Sequence, residues 1–235
     1  MLENFNIQIY IDGPSIDYLT KYHEIDLIKG FTFNPSLMKK AGIVDYEKFS
    51  RNIIELTDKP ISLEVFADDF PTMKQQARKI SSWGENIFVK IPITNTKGES
   101  SFRLIEDLAY EGIKLNITAI FTPEQIMAIE PVLNHDVPSI VSVFAGRIAD
   151  TGLDPSGIME EANWILNPNP NAQLLWASCR EVYNVIQAEN CGCNIITIPE
   201  AILNKLHIVG KNLEEYSKET VLMFYNDAKS CNYQL

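Results

Sequence analysis

Lys90 stands in the middle of Asn86-Ile-Phe-Val-Lys-Ile-Pro-Ile93, a run that is otherwise almost unbroken in apolar residues. Such a run reads as a short buried strand. A lysine inside one is unusual, because stripping water from an ammonium is costly unless the charge is paired or the proton is lost. Desolvation favours the neutral amine, and a neutral amine is the nucleophile that Schiff-base chemistry with a carbonyl compound needs. The bland alternative is an edge strand whose lysine snorkels into solvent. The other strand ends decide between the two.

Several other runs end in polar or aromatic residues with the period-2 spacing that places a pair on one face. These pairs are Thr32 and Asn34, Asn116 and Thr118, Ser142 and Phe144, and Ser178 and Arg180. Single acids stand at Asp12 and Glu64. Taken singly, each has a structural use: Asp12-Gly13-Pro14 as a turn, Asn34-Pro35 as a helix cap, Glu64 as an edge-strand charge. Asn116-Ile-Thr118 also fits a glycosylation acceptor, an accidental match in a buried strand. Gathered at strand ends, the set is harder to assign to caps and turns. Trp176, two residues before Ser178, is expected on the same inward face, either filling the core or reaching the pocket.

The elements that must position these groups alternate along the chain. Strand-like runs fall at 7–13, 30–34, 61–67, 86–93, 115–121, 139–145, 173–178 and 194–199. Helical stretches follow at 15–23, 46–57, 71–83, 98–112, from 122 onward, 157–166, 180–189 and 201–209. Eight such units with short connections fit an α/β fold, the closed (β/α)8 TIM barrel, where catalytic groups sit at the C-terminal strand ends. An open doubly wound sheet is the alternative, but no Gly-rich dinucleotide fingerprint follows the first run. No linker or composition shift marks a boundary, so residues 1–235 read as a single domain. One more helix is expected at about 212–230. Its Leu213, Tyr216, Thr220, Phe224 and Ala228 fall near helical spacing. That apolar face either caps its own barrel or docks on a neighbouring subunit.

A formal net charge of −11 argues against nucleic acid as the main partner, yet leaves room for a small phosphorylated substrate held by one or two arginines. No apolar run approaches the length of a membrane-spanning helix. The start, MLENFNIQIYIDG, lacks the basic and apolar segments of an export signal, so no membrane partner and a cytoplasmic location are expected. Cys179, Cys191, Cys193 and Cys231 read as free thiols, and Cys191-Gly-Cys193 lacks a second pair at zinc spacing, so no metal is expected. His23, His135 and His207 fall in predicted helices or helix ends, a poor fit to a histidine triad.

The ordered motifs resemble the transaldolase family. The resemblance rests on Gly30-Phe-Thr-Phe-Asn-Pro-Ser36, Val89-Lys-Ile-Pro92, Asn116-Ile-Thr-Ala-Ile-Phe121, Phe144-Ala-Gly-Arg-Ile148 and Ala177-Ser-Cys-Arg180. The chain length and the added C-terminal helix look most like the small subfamily that includes fructose-6-phosphate aldolase. The resemblance implies that Lys90 forms a Schiff base with a ketose phosphate and that Asp12 is the general base. It also implies that Glu64 and Thr118 position a proton-shuttling water. Thr32, Asn34, Asn116, Ser142 and Phe144 would line the substrate site, with Arg147, Ser178 and Arg180 at the phosphate. No metal or organic cofactor is implied; sugar phosphates are the partners, and a homo-oligomer, pentamer or decamer, is expected. Glu64 and Phe144 are of the transaldolase kind, where the aldolases carry Gln and Tyr. That favours transfer of a dihydroxyacetone unit over its release, with a non-catalytic sugar-phosphate-binding barrel as the reading from another class. Val143 and Trp176 depart from the family pattern, and Glu181 is expected to soften the phosphate site.

Overall fold

Each of the eight apolar runs forms a strand, and all eight close into one parallel barrel in sequence order. The computed structural model describes residues 5–13 and 16–231, with Tyr18 in its backbone alone; Pro14 and Ser15, placed above in a turn and a helix start, lie outside the described residues. The strands are β1 Gln8–Asp12, β2 Ile28–Thr32, β3 Ile61–Glu64, β4 Ile87–Pro92, β5 Leu115–Ile120, β6 Ser139–Val143, β7 Ala172–Trp176 and β8 Ile195–Ile198. β-branched residues dominate them, as a pleated surface covered on both faces favours.

Alternation splits the apolar residues into two layers. Ile87, Val89 and Ile91 join the larger core between sheet and helices, whereas Phe88 points into the barrel with Tyr10, Ile140, Leu175, Ala177 and Ile195. Each fully buried Ile, Val or Leu contributes about 1.5–3 kcal/mol, and this outer layer supplies most of it. Inside, Gly30 makes room for an aromatic floor: a Cβ there would sit 2.5 Å from the Tyr10 ring. Lys90 shares the inward face of Phe88, one layer nearer the C-terminal mouth.

The helices are α1 Ile16–Tyr22, α2 Pro35–Lys40, α3 Tyr46–Leu56, α4 Phe70–Ser81, α5 Phe102–Tyr110, α6 Pro123–Ile129, α7 Ala145–Asp150, α8 Ser156–Leu166, α9 Tyr183–Asn190, α10 Glu200–Leu203 and α11 Leu213–Ser230. The short α2 and α7 were not expected. Asn34 caps α2, accepting from Leu37 N–H at 3.0 Å, with Pro35 in the first turn. α7 begins directly after β6 without a side-chain cap. The expected helix at 201–209 breaks into α10 and a 3-10 turn, Leu206–Ile208, which holds His207. His135 lies in a turn ahead of β6 rather than at a helix end.

α11 buries none of its residues and leaves Leu213, Val221, Leu222, Phe224 and Tyr225 exposed, so it does not cap its own barrel. Among the described residues no helix is long and apolar enough to cross a membrane.

Candidate active site

All twelve candidate residues converge on one cavity of about 600 Å³ at the C-terminal mouth of the barrel. β4 delivers Lys90, 6 % exposed, to its floor. The Nζ lies 3.1 Å from Glu64 Oε2 on the neighbouring β3 and donates to the Phe33 carbonyl at 3.3 Å. The strand register sets Lys90 directly opposite Glu64 on one side and Asn116 on the other. A closed barrel has no edge through which the lysine could snorkel, so its charge is met inside.

Asp12 ends β1 and lines the same cavity. Burial raises its pKa above the usual carboxylate value, the nearby Lys90 charge and a hydrogen bond from Thr32 Oγ1 pull it down, and Glu64 adds to the rise. The bond from Thr32 Oγ1 to Asp12 Oδ1 is 3.1 Å long. Thr32 also meets Thr197 Oγ1 at 2.6 Å, so its hydroxyl is committed within the protein.

Asn116 is held by two hydroxyls: its Nδ2 donates to Ser62 Oγ at 2.9 Å, and its Oδ1 accepts from Ser142 Oγ at 2.7 Å. The chain fixes the amide against rotation, with further hydrogen-bonding capacity turned to the cavity. Thr118 Oγ1 is buried with no hydrogen-bond partner among the described residues. An unsatisfied buried hydroxyl is costly, and on this wall it marks a place for a water or a substrate hydroxyl. Asn34 is both helix cap and cavity wall: its Oδ1 serves Leu37, leaving the amide nitrogen for a ligand.

The opposite rim is cationic. The Arg147 guanidinium lies 5.2 Å above the Phe144 ring, and among the described residues no carboxylate pairs with it. Phe144 in turn packs on Phe121, 5.8 Å between centroids. Arg180 is different. Its Nε donates to Asp150 Oδ1 at 3.1 Å and its Nη2 pairs with Asp150 Oδ2. The softening acid is therefore Asp150, 30 residues away in sequence. Glu181, expected in that role, is not on the cavity wall. Asn184 Oδ1 accepts from the backbone N–H of Arg180 at 2.8 Å and of Glu181 at 3.1 Å, holding this loop.

Trp176 corrects an expectation. It is wholly buried, but in the layer between sheet and helices, not on the barrel's inward face. β7 ends at Trp176, and Ser178 then adopts a left-handed backbone, φ +62°. That turn breaks the period-2 count, so Ser178 reaches the cavity although Trp176 faces away. The indole fills the core, and its Nε1 has no hydrogen-bond partner among the described residues. Gly146 is shaped by the same turn: its N–H donates to the Ala177 carbonyl at 3.2 Å, and a Cβ on it would lie 1.6 Å from the Ser178 oxygen.

Thr197 and Cys179 are among the wall residues that sequence reasoning did not single out. Thr197, alone polar in Ile195-Ile-Thr-Ile198, faces inward by simple alternation, a signal present in the sequence. Cys179 also touches the cavity, but burial pushes its thiol up to about 12, which keeps it protonated and a poor nucleophile.

Residues 9–235 match the family described as Transaldolase/Fructose-6-phosphate aldolase. The chain is 28% identical over 218 residues to a "Probable transaldolase" of Nitrosopumilus maritimus, covering 91% of this chain and 94% of that one. It is 30% identical over 218 residues to a "Probable transaldolase 2" of Listeria monocytogenes, covering 91% and 95%. A crystal structure of a putative fructose-1,6-biphosphate aldolase from Coccidioides immitis superposes with a TM-score of 0.57 over 86% of this chain and 76% of that one. At 14% identity that likeness concerns the barrel alone. A buried lysine paired to a glutamate, a carboxylate beside it and an arginine-bearing rim thus occur in a chain that belongs to the transaldolase/fructose-6-phosphate aldolase family, among its small, barrel-sized members.

Proposed function

We propose that the protein is a transaldolase that moves a dihydroxyacetone unit from a ketose phosphate, fructose 6-phosphate or sedoheptulose 7-phosphate, to an aldose phosphate. The observation that carries this reading is the Lys90 amine on the cavity floor, 3.1 Å from Glu64 and near the Asp12 carboxylate. The amine attacks the C2 carbonyl to give a carbinolamine, which loses water to become a protonated imine. Glu64, with a water held at the unpartnered Thr118 hydroxyl, moves the protons of that exchange. Asp12 then takes the proton of the C4 hydroxyl; the C3–C4 bond breaks, and its electron pair passes into the iminium as an enamine. The raised proton affinity of Asp12 suits a base that works nearer neutrality than an ordinary carboxylate.

The aldehyde product leaves and an aldose phosphate takes its place. C3 attacks the new carbonyl, Asp12 returns its proton to that oxygen, and water hydrolyses the imine to regenerate Lys90. Asn34, Asn116 and Ser142 hold hydroxyls of the three-carbon unit, while Arg147, Ser178 and Arg180 receive the phosphate. Phe144 supports transfer over release: a phenol here would offer the enamine a proton, whereas a phenyl ring cannot.

Product assays with and without an aldose phosphate acceptor test the reading. Turnover that depends on acceptor supports transfer; sustained formation of dihydroxyacetone without one makes the protein a fructose-6-phosphate aldolase. The exposed apolar residues of α11 support a homo-oligomer, pentamer or decamer, in which that helix docks on a neighbouring copy.

A further inference from the structure

We propose that Thr197 is a positioning residue for Asp12, acting through the Thr32 hydroxyl, a role that rests on the reading of Asp12 as the base. Three side chains from three adjacent strands, β8, β2 and β1, form one chain. Thr197 Oγ1 lies 2.6 Å from Thr32 Oγ1, and Thr32 Oγ1 lies 3.1 Å from Asp12 Oδ1. Both threonines are buried, 7 % and 3 % exposed, and both line the cavity.

The donor count sets the direction of the chain. An ionised carboxylate only accepts, so Thr32 spends its one proton on Asp12. The 2.6 Å contact then requires Thr197 to donate to Thr32. Two aligned donors polarise each other and strengthen the bond that the carboxylate receives. When Asp12 carries the proton taken from the substrate, the same chain can run the other way, from Asp12 to Thr32 to Thr197. Thr197 thus gives the Thr32 hydroxyl a partner in either state: it donates to Thr32 when Asp12 is ionised and accepts from it when Asp12 is protonated. Its own methyl and oxygen need not touch the substrate.

The charged groups facing Asp12 are Lys90 on β4 and Glu64 on β3, which act on it through space, one lowering and one raising its proton affinity. Tyr10, two residues below on β1, is pushed up to about 12 by burial and stays neutral across the working range. Thr32 and Thr197 contribute from β2 and β8 without charge.

The test is a titration of the Asp12 carboxyl by ¹³C NMR in the full-length protein, its signal assigned by its absence in Asp12→Asn. Thr197→Val keeps the shape and removes the donor; Thr197→Ser keeps the donor. The Asp12 midpoint is expected to rise by ~0.5 pH unit in Thr197→Val, and to return to the wild-type value in Thr197→Ser. The acid limb of the pH–rate profile should move with it, so that at the wild-type midpoint turnover falls by about 2-fold. Thr197→Ala gives the same readout if the valine variant does not fold. A midpoint unchanged in a folded variant lacking the hydroxyl overturns the role of Thr197. A midpoint that moves while Asp12→Asn keeps its turnover overturns the general-base reading instead, leaving only the hydrogen-bond chain.

Discussion

Replacing Gly146 with alanine should damage the phosphate rim while sparing the imine chemistry. The added Cβ would lie 1.6 Å from the Ser178 carbonyl oxygen and 2.6 Å from its carbon, both backbone atoms that no rotamer change can move. A carbon–oxygen contact relaxes at about 3.3 Å, so the start of α7 and the turn after β7 must part by roughly 1.7 Å. Overpacking of this kind costs about 1–3 kcal/mol or more, and the Gly146 N–H to Ala177 bond adds about 0.5–1.5 kcal/mol when lost. For a chain of this size, at about 2–4 °C per kcal/mol, the melting temperature should fall by about 3–18 °C. The same displacement moves Arg147 against Ser178 and Arg180, and an ångström-scale misplacement can cost on the order of 10²-fold in rate. The assay compares an aldose phosphate acceptor with its unphosphorylated analogue. A loss of about 10–100-fold in kcat/KM, carried by KM, is expected for the phosphorylated acceptor, with the analogue changed by less than about 3-fold. Gly157→Ala is the control: its Cβ meets nothing within 4 Å in α8, and it should be neutral or stabilising by about 0.5–1 kcal/mol. A Gly146→Ala protein that melts like the wild type and keeps its phosphorylated acceptor would refute the interlock.

Three further outcomes follow from other residues. Burial raises the folded pKa of Asp12 above 3.8, so the native state binds this proton more tightly than the unfolded chain. The associated stability is whole below the ordinary value and is lost as pH rises through the folded one. Asp12→Asn should therefore raise the melting temperature at pH 8, with a gain that shrinks toward pH 4, while abolishing turnover; equal gains at both pH values contradict the shift. Ala119 holds a left-handed backbone, φ +59°, on the cavity wall. Ala119→Gly should stabilise by about 0.5–1 kcal/mol in a thermal melt, since a left-handed conformation costs an L-residue about 1–2 kcal/mol and glycine returns part of that in entropy. Phe144→Tyr places a phenol by the enamine and should raise acceptor-free release of glyceraldehyde 3-phosphate from fructose 6-phosphate by about 10²-fold. Unchanged release would mean that the ring does not govern the fate of the intermediate.

Much of this site was legible because strand geometry is local. Within a ladder the side-chain period is two, so Lys90, Glu64, Asn116 and Thr118 could be placed inward from sequence alone, and the barrel followed from the repetition of strand and helix. Thr197 obeyed the same rule and was overlooked only for its apolar neighbours. Where the chain leaves the ladder the rule fails. Ser178 stands beyond the end of β7 with a left-handed backbone, so counting back from it misplaced Trp176, which faces the outer core by the alternation of the ladder itself. The pairing of Arg180 with Asp150 joins the loop after β7 to the end of α7, whose proximity exists only once β6 and β7 are side by side. α7 carries no capping residue to announce it, whereas Asn34-Pro35 before α2 was read as a possible cap but no helix was drawn after it. The apolar face of α11 was legible, but it is not buried on its own barrel, and spacing alone could not tell that.

Borohydride reduction in the presence of fructose 6-phosphate tests the role of Lys90 most directly, read by peptide mass spectrometry. A reduced three-carbon dihydroxyacetone adduct on the peptide carrying Lys90, absent from Lys90→Met and from unreduced protein, is the expected result. Full turnover with no adduct, or an adduct on another lysine that persists in Lys90→Met, would contradict it.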